Sequence, residues 1–287
     1  MKIALVTDTH ISPRDITLTA NWRAAERWFA TASPDLIIHL GDITANGVHD
    51  AVELRYAHET LTAAPHAIRF LPGNHDIGDH PPGPGIAPRD PLDLKRLAEY
   101  RDIFGLDFWT ITMEQWLFIG LDALLLGTDC DAEVVQNLWL EEALVMHNGP
   151  IGLFLHKPLF QSTPDEYIVH ERYVPRAARR RLMVTFSDHD LRFVCAGHTH
   201  QTRQFRVDRT DHVWVPSTAF VIPDSLQERV GDKLVGVMML EIEGEKYHFT
   251  HIVPAGMKVN SILDYTHVYP ELEARIAATR RDGSAND

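Results

Sequence analysis

An α/β fold, with two β-sheets packed as a sandwich and flanked by helices, is what this sequence predicts. Two observations carry the prediction. Short apolar runs of strand length alternate with longer segments of helical period, the pattern of helices laid over sheets. Five of the runs (residues 3–7, 36–40, 67–71, 151–155 and 191–196) also end directly in a short polar motif. Open α/β sheets gather functional groups at the carboxyl ends of strands, so the five exits are expected to meet at one edge of the sheets.

The elements follow in order. After the first strand, residues 21–32 read as a helix with Trp22, Trp28 and Phe29 on its apolar face and Pro34 beyond its end. Residues 50–63 form a second helix, stopped before Pro65. The stretch 77–90, with HPPGPGIAP at its centre, is a loop. Residues 91–104 are helical up to Gly105, and 108–111 with 116–122 suggest a hairpin. An amphipathic helix over 134–147 ends at Asn148-Gly149. A basic helix over 175–187 leads to the strand holding Cys195. Late strands are expected at 205–207, 213–215, 234–242 and 247–252, and a disordered polar tail from about Asp282. The chain reads as one domain, 1–287, with cap segments near 77–100 and 157–176, which directly follow polar motifs.

Composition narrows the functional classes. At 287 residues and 45% hydrophobic content the chain can bury one sizeable core. Two distant cysteines make no disulfide framework, no apolar stretch reaches the roughly 20 residues of a membrane span, and no signal peptide is evident. A reduced, cytoplasmic protein is expected. The formal charge of −13 disfavours a nucleic-acid duplex or an anionic membrane as partner.

The motifs are Asp8-Thr9-His10, Gly41-Asp42, Gly73-Asn74-His75-Asp76, a lone His156, and Gly197-His198-Thr199-His200. Asp, Asn and His at successive strand exits suit a two-metal hydrolytic site. Asp8, His10 and His200 would hold one ion, Asp42 would bridge, and Asn74, His156 and His198 would complete the second. A carboxylate suits the bridge because its two oxygens can be shared. Mixed oxygen and nitrogen ligands favour two divalent or mixed-valence transition metals, Mn, Fe or Zn. Ions about 3.5–4 Å apart would bind a hydroxide nucleophile and clamp a phosphoryl group. His75 remains as general acid at the leaving oxygen, with Asp76 orienting its ring. Two such ions bring about +4, Asp8 and Asp42 remove about 2 and the hydroxide about 1. A net charge near +1 suits a phosphodiester monoanion better than a monoester dianion.

Other residues read more plainly. His39 is expected in the core and the remaining histidines at the surface. Arg176 and Arg179–Arg181 are expected to form a solvated helix face, and Trp22, Trp28, Trp109 and Trp139 to be core. Lys157 and Arg172 are the better-placed substrate clamps, and Phe160, Tyr167 or Tyr173 could stack on a base.

The pattern DxH…GD…GNHD…H…GHxH resembles that of the calcineurin-like metallophosphoesterases, most closely the branch of class III cyclic-nucleotide phosphodiesterases and related glycerophosphodiesterases. The match runs from Lys2 to about Thr218 and includes Pro216-Ser217-Thr218; beyond about Val221 nothing is diagnostic. The resemblance implies that family's β-sandwich and dinuclear centre. Ala45 and Asn46 stand where the similar protein phosphatases carry the Asp and Arg of GDxxDRG, and the missing Arg disfavours a dianionic phosphate. His75 stands where lipid A–pathway pyrophosphatases carry Arg. The expected activity is metal-dependent hydrolysis of a small phosphodiester, a cyclic nucleotide or a glycerophosphodiester. A phosphomonoesterase is the alternative, and a non-catalytic interaction protein the remote one. A homo-oligomer is compatible with the resemblance.

Overall fold

The computed structural model describes residues 1–273 and 276; the tail expected to be disordered lies outside them. Strands β1 (Lys2–Val6), β2 (Leu36–His39) and β3 (Ile68–Phe70) run parallel. The expected hairpin is β4 (Trp109–Met113) with β5 (Trp116–Gly120), and β6 (Pro150–Leu155) and β7 (Asp190–Ala196) follow in parallel. β8 (Arg203–Val207) and β9 (Thr210–Trp214) close this sheet, β9 lying parallel to β7. β10 (Phe220–Val221) pairs apart from both sheets with β13 (Asn260–Ser261). β11 (Val237–Glu243) and β12 (Lys246–Ile252) return antiparallel beside β1. The sheet orders are β12-β11-β1-β2-β3 and β4-β5-β6-β7-β9-β8.

Alternation along each strand divides the core. Ile3, Leu5 and Ile38 face the other sheet, against Phe118, Phe154 and Phe193. Ala4, Val6 and Ile37 face outward, under Trp22, Phe29 and Leu54 of the helical layer. Burial on both faces is why these strands read as unbroken apolar runs. Each large side chain so buried contributes roughly 1.5–3 kcal/mol.

Side chains cap two of the longer helices at their starts. α1 spans Leu18–Ala32, three residues ahead of the expected start at Asn21. Asn21 is an anchor: its buried amide donates to the carbonyls of Thr218, Ala219 and Lys258. α2 (Ala51–Leu61) is capped by Asp50. A single turn, α3 (Asn74–Ile77), was not expected from the sequence. α4 (Leu94–Phe104) starts after Asp93, whose carboxylate accepts from two amides of its first turn. α5 (Asp131–Val145) begins before the expected Val134, with Glu133 turned back onto the amides of Gly127 and Asp129. α6 spans Arg176–Thr185.

One buried carboxyl makes a testable contribution to stability. Asp122, at the exit of β5, accepts from the Leu124 amide at 2.8 Å and lies against Asp107, which Arg101 grips at 2.6 and 3.0 Å. Burial, then Asp107, push the Asp122 carboxyl well above its ordinary range. A raised folded-state pKa favours the protonated form, so stability is greatest below the ordinary Asp range and falls as pH rises through the raised value. Asp122→Asn should therefore gain stability relative to the parent as pH rises. Thermal midpoints of both proteins across pH test this; parallel curves would refute it.

Candidate metal centre

The motif residues leave their strands through strained turns. Asp8, His10, Asp42, His198 and His200 have φ of 52°, 47°, 49°, 66° and 51°. This left-handed region costs a non-glycine residue on the order of 1–2 kcal/mol, and such strain concentrates at functional sites. The first two exits stay paired beyond their strands: the Asp8 amide donates to Gly41 O at 2.9 Å and the His10 amide to Asp42 O at 3.1 Å. His39 braces them as a neutral core histidine, between the Gly41 amide and Thr9 Oγ1; burial lowers its pKa to about 3. Two motif glycines are needed for close approach. A Cβ on Gly73 would run into the amide nitrogen and Oδ1 of Asp42, and one on Gly197 into Thr7 Oγ1 and Asp8 Oδ2.

The seven residues read as ligands converge in two adjoining groups. Asp8, His10 and His200 form one, and Asp42, His156 and His198 the other, each with its candidate ligand atoms within 4.8 Å of one another; a third group of the same kind, His10, Asp42 and His75, lies between them. His10 Nε2 lies 3.9 Å from Asp42 Oδ2, and Asn74 Oδ1 lies 3.3 Å from His156 Nε2. Amides fix the carboxylates: His198 N–H donates to Asp8 Oδ2 at 3.0 Å and His75 N–H to Asp42 Oδ1 at 2.9 Å.

Backbone carbonyls set the tautomers. His200 Nδ1–H donates to Phe220 O (2.9 Å), His156 Nδ1–H to Leu40 O (2.8 Å) and His198 Nε2–H to Glu171 O (3.2 Å). A carbonyl can only accept, so each ring keeps its outer N–H there and, when neutral, presents the lone pair of the opposite nitrogen to the centre. There His200 Nε2 meets His10 Nε2 at 3.2 Å and Asp8 Oδ1 at 3.4 Å. His156 Nε2 meets His198 Nδ1 at 3.2 Å and Asp42 Oδ1 at 3.4 Å. Asp8 Oδ1 is buried with no hydrogen-bond partner among the described residues. Acceptors that converge on acceptors call for cations between them, and the donor set fits transition metals.

Burial opposes ionisation of Asp42, but His156, His75 and His10 outweigh it and hold the carboxyl well below the usual range. Burial chiefly lowers His10 and His198 well below the ordinary imidazole range, leaving neutral rings. His156 and His200 move the other way: burial opposes their charge, yet Asp42 and Asp8 raise His156 to about 9 and Asp8 raises His200, so the carboxylates draw a positive charge to this place, a proton on the rings or a metal ion in its stead.

Several expectations are corrected here. Asp76 does not orient the His75 ring; Ala45 O does, accepting from His75 Nδ1–H at 2.8 Å. The Asp76 carboxylate instead holds the turn after Asp42, accepting from the amides of Ile43, Thr44 and Gly73 and from Thr44 Oγ1. Lys157 is no free clamp, because it is fully buried with Nζ at 2.6 Å from both oxygens of Asp79. Arg179 is buried too, donating to the carbonyls of Pro164, Leu159, Val174 and Glu166 that shape residues 157–176. His80 and His212 lie in the interior rather than at the surface. Phe160 and Tyr173 are buried in the core and Tyr167 is exposed; none of the three lines the pocket described next.

A cavity of about 400 Å³ opens over the centre. Asp79, Arg89 and Asp90 reach it from one segment expected to act as a cap, and His170, Glu171 and Arg172 from the other. Its remaining wall is mainly apolar, with Phe220, Ile222, Leu226, Ile262 and Leu272, interrupted by Gln227 and Glu271, and with Tyr269 between His75 and Phe220. Sequence reasoning missed this wall. Its only signal was an apolar content indistinguishable from ordinary core.

Residues 1–202 match the family model described as calcineurin-like phosphoesterase. The chain belongs to that family. Calcineurin-like phosphoesterases use dinuclear divalent metal centres, in keeping with the His/Asp clusters. Comparison with curated proteins finds no match. Among solved structures, the chain is similar to a dimetal phosphatase from Danio rerio, at 12% identity and TM-score 0.58, over 88% of this chain and 95% of that one. It is also similar to GAP50, the anchor in the inner membrane complex of Plasmodium, at 11% identity and TM-score 0.63, over 90% and 86%. A third likeness is purple acid phosphatase PPD1 from yellow lupin, Lupinus luteus, at 12% identity and TM-score 0.63, over 90% and 52%. At these identities the likeness shows the shared fold. No helix among the described residues of this calcineurin-like phosphoesterase is long and apolar enough to cross a membrane.

Proposed function

We propose that this protein is a phosphodiesterase acting on a small diester, with Asp8, His10 and His200 holding one metal ion and Asn74, His156 and His198 the other. Asp42 bridges them. Residues 77–100 and 157–176 act as caps on one domain. When bound, Mn, Fe or Zn ions supply Lewis acidity at the phosphoryl oxygens and lower the pKa of a water to furnish the nucleophile. The protein's own groups do the rest. Asn74 contributes a neutral oxygen, which leaves the second ion's charge less offset. His75, tethered through Nδ1–H to Ala45 O, has Nε2 uncommitted to the protein and delivers a proton to the leaving oxygen. Asp76 keeps the Asp42 turn in register.

The observation that carries the diester reading is the state of the pocket's cations. Each lining arginine faces a carboxylate: Arg89 binds Asp90 and Glu271 at 2.7 and 2.9 Å, and Arg172 lies 3.8 Å from the exposed Glu228, beyond hydrogen-bond distance. Carboxylates thus offset both guanidinium groups among the described lining residues, which leaves less positive charge for the second charge of a monoester. The apolar wall opposite them favours a leaving group with a flat apolar face, as in a cyclic nucleotide, over a bare glycerol.

Mn-reconstituted protein should turn over bis(p-nitrophenyl) phosphate faster than p-nitrophenyl phosphate by about tenfold or more, equivalent to about 1.4 kcal/mol in the barrier. Preference for the monoester would mean that Arg172 or Arg89 is released to the substrate, and would reassign the protein as a phosphomonoesterase.

A further inference from the structure

Lys157 stands directly after His156 and is the most deeply buried ammonium near the centre. Burying an ammonium costs several kcal/mol unless it is paired and fully hydrogen-bonded, so its partners indicate what it holds. Nζ reaches both Asp79 oxygens at 2.6 Å and the carbonyl of Glu171 at 2.5 Å. That same carbonyl accepts from His198 Nε2–H at 3.2 Å. These two partners and His198 come from separate parts of the chain. Asp79 belongs to the loop after α3, anchored by exchange of amide bonds with Asp90 and Leu92. Glu171 belongs to the segment after β6, and His198 to the exit of β7.

We propose that Lys157 is a positioning residue for the second metal ion, acting through the Glu171 carbonyl. The ammonium pins that carbonyl, the carbonyl fixes the proton of His198 on Nε2, and the lone pair of Nδ1 is thereby aimed at the ion. The groups that receive the outer proton of a metal-binding histidine set its tautomer and orientation, and their loss typically weakens metal binding about 10–100-fold. His156 and His200 donate to the carbonyls of Leu40 and Phe220, at a strand exit and within β10. Only for His198 does the accepting carbonyl lie in a long segment outside strands and helices, where a buried charge is needed to hold it. Asp79 confines the ammonium and joins the two segments on either side of the pocket.

This inference rests on the two-metal reading, and the test separates them. Metal-free protein is titrated with Mn²⁺, and binding of the first and second equivalents is followed by calorimetry. The wild type should take up two. Lys157→Met should bind its first equivalent as the wild type does and its second about 10–100-fold more weakly. In ¹⁵N spectra of the metal-free variant, His198 should lose its fixed Nε2–H tautomer while the Nδ1–H bonds of His156 and His200 to Leu40 O and Phe220 O persist. If Lys157→Met does not fold, the charge-free pair Lys157→Met with Asp79→Leu removes both buried charges and gives the same readouts. A variant that binds both equivalents normally, or weakens both equally, overturns the role of Lys157 alone. A wild type that binds fewer than two equivalents overturns the two-metal reading and this inference with it.

Discussion

Asp42→Ala should lower kcat/KM for a diester by about 10³-fold or more, the several kcal/mol that bridged metals supply. Asp42 is the one carboxylate that faces both groups, with Oδ1 3.4 Å from His156 Nε2 and Oδ2 3.9 Å from His10 Nε2. Its removal leaves no shared ligand. Because Asp42 sits at φ 49°, alanine also adds backbone strain there. Asp42→Asn is the sharper variant, since it tolerates the left-handed turn and keeps an oxygen for the His75 amide while deleting the charge. Both should lose activity together with metal. Near-normal turnover in either, measured with saturating Mn²⁺, would sink the dinuclear mechanism.

The second large effect belongs to His75. Its ring packs edge-on to His10 with centroids 4.9 Å apart, its main-chain amide donates to Asp42 Oδ1, and a ring nitrogen lies within 4.8 Å of ligand atoms of His10 and Asp42. His75 stands outside the two proposed ligand sets, so His75→Ala should retain its metal content. Loss of a general acid costs about 10²–10⁴-fold, concentrated on substrates whose leaving group needs the proton. Alkyl diesters should suffer that loss, while nitrophenyl diesters, whose leaving group departs as the anion, should suffer little. A steeper dependence of rate on leaving-group pKa is the readout. An equal loss across all leaving groups would refute the acid role and leave His75 as a purely electrostatic or structural neighbour.

The features legible in the sequence are those whose cause is local. A strand followed by Asp-x-His or Gly-His-x-His encodes both the run that is buried and the polar residues at its exit. Parallel pairing of β1 with β2 and of β6 with β7 then carries Asp8, Asp42, His156 and His198 to one edge. The motif glycines announced close approach in the same way, because a Cβ at Gly73 has no room beside Asp42. Helix starts were less legible. Asn21 looks like a cap, yet its partners lie near residues 218 and 258, across the fold.

Charged residues were read least well, for a physical reason. A lysine or arginine is assigned to solvent by default because burial is costly, and what offsets that cost is a set of partners distant in sequence. Lys157 finds Asp79, 78 residues away, and Arg179 finds four carbonyls of the preceding segment. Asp76 likewise turned from its neighbour His75 to the amides that follow Asp42, a choice made by backbone geometry and not by adjacency.

The chain's order of motifs was thus enough to name an α/β sandwich, a family and a set of candidate metal ligands, since each depends on short-range pattern and on ligand chemistry. The shape of the pocket, its apolar wall from residues 220–272, and the pairing of its cations depended on which distant segments pack over the sheet edge. Burial and charge compensation are properties of that packing, and no stretch of sequence carries them alone.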